Sequence, residues 1–135
     1  MNPDEKMKWE AAGKLAREAL HFGKSLIRDG KKMLDVTEEI EKYVIQNGGD
    51  LAFPTNLAVN NVGAHWTPST KSKEIFKKGD VVKLDVGVHI DGYIGDNALT
   101  IEIETNEYGK MIEASREALN AAIDVAAAGV SVGII

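Results

Sequence analysis

The stretch Val81-Val82-Lys83-Leu84-Asp85-Val86-Gly87-Val88-His89-Ile90-Asp91-Gly92-Tyr93-Ile94-Gly95-Asp96-Asn97-Ala98-Leu99-Thr100-Ile101-Glu102-Ile103 decides the fold. Its first ten residues alternate with period two, the pattern of a strand with one face buried. Asp91-Gly92 is a preferred pair for a two-residue hairpin turn, and Tyr93–Ile103 is the returning strand. A two-residue turn sets Ile90 opposite Tyr93, Gly87 opposite Asp96 and Asp85 opposite Ala98. One face then carries Val82, Leu84, Val86, Val88 and Ile90 against Tyr93, Gly95, Leu99, Ile101 and Ile103, an apolar surface for helices to cover. The other face carries Asp85 and Asp96 as diagonal neighbours, ~7–8 Å apart at the backbone.

Two readings of that carboxylate pair stand open on spacing alone. The side chains can converge on the ~3.5–4 Å metal pair of a binuclear hydrolase, with Gly87 leaving room for an ion opposite Asp96. Or both are solvated on an open sheet face. Like charges at this range repel and favour protonation of one, unless a cation neutralises them. Hard oxygen ligands in a chain without cysteine suit Mg, Mn, Fe, Co or Zn.

Before the hairpin, Asn2, Pro3 and Glu5 read as a capping box with proline at the first helical position. Met7, Ala11, Leu15, Ala19, Phe22 and Leu26 recur at helical spacing up to Asp29-Gly30. A second helix is expected to start at Asp35 with Glu38 behind it. It would bury Ile40, Val44 and Ile45 and stop at Asn47-Gly48-Gly49. From Leu51 to Ser72 the pattern loosens into loops around one short strand, Leu57-Ala58-Val59; such loops commonly carry function. A third helix is expected from about Asn106 to Gly129, with Met111, Ile112, Leu119, Ala122, Ile123 and Ala126 facing inward. The fold class is α/β in the loose sense (α+β), an antiparallel sheet with helices on one face.

The 135 residues fit a single domain, 1–135, and 44% hydrophobic with 27% charged residues is a globular composition. No apolar run reaches the ~20 residues that span a bilayer, so no membrane role is expected. Net charge is −5 and the basic residues form no stripe. A nucleic-acid partner therefore ranks low. The start has no apolar signal core and cysteine is absent, so the expected address is cytoplasmic. The apolar, uncapped end Val132-Gly133-Ile134-Ile135 suggests truncation at the C-terminus.

The segment Asp85-Val86-Gly87-Val88-His89-Ile90-Asp91-Gly92-Tyr93-Ile94-Gly95-Asp96 closely resembles the first metal-binding signature of methionine aminopeptidases, in the pita-bread group with prolidase and creatinase. Phe53-Pro54-Thr55-Asn56 and Asn60-Asn61-Val62-Gly63-Ala64-His65-Trp66-Thr67-Pro68 form a second match, closer to the archaeal and eukaryotic type 2 branch. The resemblance spans essentially the whole chain as the N-terminal half of that fold. It implies that Asp85 chelates one metal and Asp96 bridges two. It also implies that His65 is the catalytic and substrate-binding histidine at the scissile peptide, and that Phe53 walls the methionine pocket. The implied parent activity is removal of the N-terminal methionine from nascent peptides with two divalent metal ions (Co, Mn, Fe or Zn). The family's other histidine and two glutamates lie in its second half, so this chain alone is expected to bind metal weakly and to be inactive. Three rivals remain: an inactive metal-binding half-domain, a half that self-associates into a homodimer, and a non-enzymatic protein- or RNA-binding relative. His21 and His89 are expected to be structural or solvated, His89 being ~13 Å along the strand from Asp85. Asp91 is expected to serve the turn.

Overall fold

In the computed structural model, which describes residues 2–135, the first helix begins where its residue types dictate. Helix α1 runs Pro3–Leu26. The Glu5 N–H donates to Asn2 Oδ1 and the Asn2 N–H to Glu5 Oε2, both at 2.9 Å. This reciprocal pair satisfies two donors that a helix N-terminus otherwise leaves free. The buried stripe is Ala12, Leu15, Ala16, Ala19, Leu20 and Gly23. That stripe starts later than the expected line through Met7 and Ala11, and Met7 is 60% exposed. The reason is a close backbone contact: a Cβ added to Gly95 would stand 2.5 Å from Gly13 N and 2.6 Å from Ala12 O. Small residues at this crossing let helix and strand touch, and the crossing sets which helix face turns inward.

Helix α2 runs Met33–Gln46, beginning two residues before the expected Asp35. Its start is fixed by an antiparallel bridge between Lys32 and Ile75 and by the Met33 N–H donating to Glu74 O at 3.0 Å. Asp35 falls in the first turn, where a carboxylate favours the helix dipole. Ile40 and Val44 are buried as expected, but Ile45 is 53% exposed. Met33, Val36 and Thr37 take the remaining inward places, the Thr37 hydroxyl donating to Met33 O at 3.1 Å.

The sheet contains β1 (Asp50–Leu51), β2 (Asn56–Val59), β3 (Val81–Ile90) and β4 (Tyr93–Glu102), all paired antiparallel through β3. Strand β4 lines one side of β3 along its whole length, with Ile90 opposite Tyr93 and Gly87 opposite Asp96, the expected register. On the other side β1 pairs at Val88 and His89, and β2 at residues 82–85. Asp91 (φ 51) and Gly92 (φ 85) both adopt the left-handed conformation that a tight hairpin turn of this type needs. Lys8 Nζ reaches Asp91 Oδ2 at 3.0 Å and ties the turn to α1. Val82, Leu84, Val86 and Val88 form one core with Leu15, Ala19, Ile40, Val44 and Phe76. Helices α1 and α2 thus cover the apolar face and leave the carboxylate face free of helices from this unit.

Residues Asn106–Ile135 form a separate compact unit holding helix α3 (Gly109–Val125) and a 3-10 turn, Val132–Ile134. The expected inward row of α3 is not buried: Met111 is 59%, Leu119 55% and Ile123 60% exposed. No helix among the described residues is long and apolar enough to cross a membrane.

Candidate metal centre

Strand alternation places Asp85 and Asp96 on the face opposite the core, as diagonal neighbours across the β3–β4 pair. Asp85 Oδ1 is buried and has no hydrogen-bond partner, which is costly for a carboxylate oxygen. Burial pushes the Asp85 carboxyl above its usual range. The negative charge of Asp96 and a hydrogen bond between the two acids add to that shift. A hydrogen bond with Asn56 and the nearby His65 act in the opposite direction. Asp85 from β3 and Asp96 from β4 thus share one face with Asn56 of β2, while His65, in the loop after β2, acts on Asp85 through its charge.

Asn56 comes to Asp85 because the two are cross-strand partners in the β2–β3 pair. The loop carrying His65 is pinned immediately beyond it. The Leu57 N–H donates to Trp66 O at 2.8 Å, and the Thr67 hydroxyl lies 3.0 Å from both Thr55 O and Asn56 Oδ1. His65 itself is exposed and has φ 58, the left-handed backbone conformation of a turn.

Phe53 arrives on the same face by a different route. The Ala52 N–H donates to Gly87 O at 3.0 Å, and the Phe53 ring lies over Gly87. A Cβ there would be 2.2 Å from Phe53 Cε1. This corrects the expectation that Gly87 makes room for an ion, because the space opposite Asp96 is filled by an aromatic ring. His89 lies further along β3 beside Asp50, its Nδ1 accepting from the Gly92 N–H at 3.3 Å. His21 is exposed on α1.

The donor chemistry fits a divalent cation: two carboxylates held together, one with a buried, unpartnered oxygen. The set is incomplete, since no group of three His, Cys, Asp or Glu side chains able to hold a metal ion occurs among the described residues. Asn56 and Thr67 did not emerge from the sequence as site residues. Their relevance depends on the β2–β3 pairing, which joins residues nearly thirty positions apart and leaves no local signal.

Residues 7–135 match the model of metallopeptidase family M24, and the chain belongs to that family, in which metal dependence is general. Within it, the chain is similar to methionine aminopeptidases. That of Archaeoglobus fulgidus is 43% identical over 135 residues, covering 100% of this chain and 46% of the relative. The crystal structure of the enzyme from Thermotoga maritima superposes with a TM-score of 0.85 at 32% identity, covering 93% of this chain and 54% of that one. A prolidase from Thermococcus sibiricus shares the fold, with a TM-score of 0.80 at 24% identity. The sheet and its two helices are therefore half of a pita-bread fold, and the chain spans about half the length of the relatives it matches.

Proposed function

We propose that this chain provides one half of a methionine aminopeptidase active site, acting in the cytoplasm on the N-terminal methionine of nascent peptides. The observation that carries this reading is the buried, unpartnered Asp85 Oδ1 beside Asp96. Asp85 and Asp96 would hold two divalent ions, Co, Mn, Fe or Zn, which when bound supply Lewis-acid polarisation of the scissile carbonyl. His65, exposed at the rim, donates or accepts a hydrogen bond at the scissile peptide. Phe53, spread over Gly87, walls the pocket for the methionine side chain. The retention of Asp85, Asp96 and His65 together favours this reading over a non-enzymatic protein- or RNA-binding relative.

The 135 residues alone bind metal weakly and hydrolyse poorly, because two carboxylates leave most of the ~6 positions of a hard divalent ion to water. Calorimetric titration with Mn²⁺ tests this. Weak binding abolished by Asp96→Asn and unaffected by His89→Ala is expected, alongside negligible cleavage of a Met-Gly-Met tripeptide. Sub-micromolar binding by a monomer, or binding indifferent to Asp96→Asn, contradicts the reading.

A second reading, self-association into a homodimer, is favoured by the outer edge of β4, which pairs with no strand but β3 among the described residues. Such edges recruit other strands. A twofold pair would gather four carboxylates while still lacking the ligand set of a complete enzyme. Light scattering that gives a clean monomer mass at millimolar concentration excludes it.

A further inference from the structure

The His65 loop and the Asp85 carboxylate are joined by a chain of polar contacts that the sequence does not advertise. Thr67 lies two residues beyond His65, and its hydroxyl reaches Asn56 Oδ1 and Thr55 O, each at 3.0 Å. Asn56 is the cross-strand partner of Asp85, which sets its carboxamide beside the Asp85 carboxyl, whose charged form it favours. A carboxamide has one accepting and one donating end. With Oδ1 engaged by the Thr67 hydroxyl, the Nδ2 donors remain for Asp85. The reverse orientation would set an acceptor against a carboxylate. Both Asn56 and Thr67 are half-buried, so water competes for these contacts less than it would at the surface.

We propose that Asn56 is a positioning residue whose carboxamide, turned by Thr67, holds the Asp85 carboxylate and the His65 loop as one unit. The proposal rests on the reading of Asp85 as a metal ligand. Partners that orient a ligating carboxylate are worth a factor of ~10–100 in metal affinity. Asn56 would act in that way by restricting Asp85 to one rotamer before any ion arrives. It would also make the placement of His65 depend on the same contact, so that ligand and loop are set together.

The test compares Mn²⁺ binding to the 135-residue chain and its variants, with thermal unfolding measured in parallel. Asn56→Ala is expected to weaken Mn²⁺ binding ~10–100-fold while the chain stays folded. Thr67→Val, which keeps shape and removes the hydroxyl, should weaken it in the same direction, and Thr67→Ser should restore it. A metal-free readout runs alongside: the Asn56 side-chain amide protons should exchange with water more slowly than those of exposed Asn61, and Thr67→Val should remove the difference. If Asp96→Asn abolishes binding while Asn56→Ala leaves it unchanged, the positioning role is overturned and the metal reading survives. Should the wild-type chain bind no Mn²⁺, the metal reading fails instead. In that event Asn56 amide exchange as fast as that of Asn61 overturns the link between loop and carboxylate as well, and slow exchange that Thr67→Val abolishes upholds it.

Discussion

The ring of Phe53 occupies the space that a side chain at position 87 would need, with its Cε1 only 2.2 Å from where a Cβ on Gly87 would stand. Phe53 is half-buried and can swing outward, so Gly87→Ala should cost little stability, about 1 kcal/mol, at the low end of overpacking. The ring should move off the carboxylate face as it does so. Chemical denaturation in wild-type and Phe53→Ala backgrounds checks this, since most of the penalty should vanish when the ring is absent. An equal penalty in both backgrounds would show that the ring is not the obstacle.

Gly95 presents the opposite case, because the atoms in its way are backbone. A Cβ there meets Gly13 N at 2.5 Å and Ala12 O at 2.6 Å, and neither can rotate aside. Gly95→Ala must lift α1 from β4, at a cost of about 3 kcal/mol. Gly13 is the control: a Cβ on it meets nothing within 4 Å, and it lies inside α1. Gly13→Ala should therefore stabilise the chain by about 0.8–1 kcal/mol through helix propensity. Urea unfolding midpoints of the two variants should move in opposite directions.

The features legible in the sequence are those set by short-range chemistry. The hairpin register follows from period-two alternation and Asp91-Gly92, and the α1 start from Asn2, Pro3 and Glu5; the structure reproduces both. The features that escaped depend on pairings between distant segments. Which face of α1 turns inward is fixed by Gly95, and where α2 starts by Ile75. At the site, Asp85 and Asp96 could be placed on one face because a single hairpin carries both. Asn56 could not be placed beside Asp85, nor Phe53 over Gly87, without the order of β1 and β2 along β3.

The capping box at α1 gives a prediction independent of the site. Asn2→Ala removes the acceptor for the Glu5 N–H and should lower stability by about 1 kcal/mol. Asn2→Asp keeps an acceptor and adds a charge favourable to the helix N-terminus, so it should be neutral or better. Equal losses for both variants in thermal unfolding would show that the side-chain acceptor is not what matters.

Asp85 should show opposite effects on stability and on binding. Without metal, its carboxyl is burdened first by burial and then by the charge of Asp96, and its Oδ1 has no partner. Asp85→Asn keeps the shape, removes the repulsion and offers Asp96 a donor, so the metal-free variant should melt at a higher temperature than wild type. The same change removes a ligand and should abolish Mn²⁺ binding. Binding to the folded state alone stabilises by about 2.7 kcal/mol when free metal is 100 times the dissociation constant. Adding millimolar Mn²⁺ should therefore raise the wild-type melting temperature and leave Asp85→Asn where it was, narrowing or reversing their order. Calorimetric melting with EDTA and with Mn²⁺ reads both effects. If the metal-free variant is less stable than wild type, the buried carboxylate is not the burden its surroundings imply. An equal metal-induced rise in both proteins would place the binding site elsewhere on the chain.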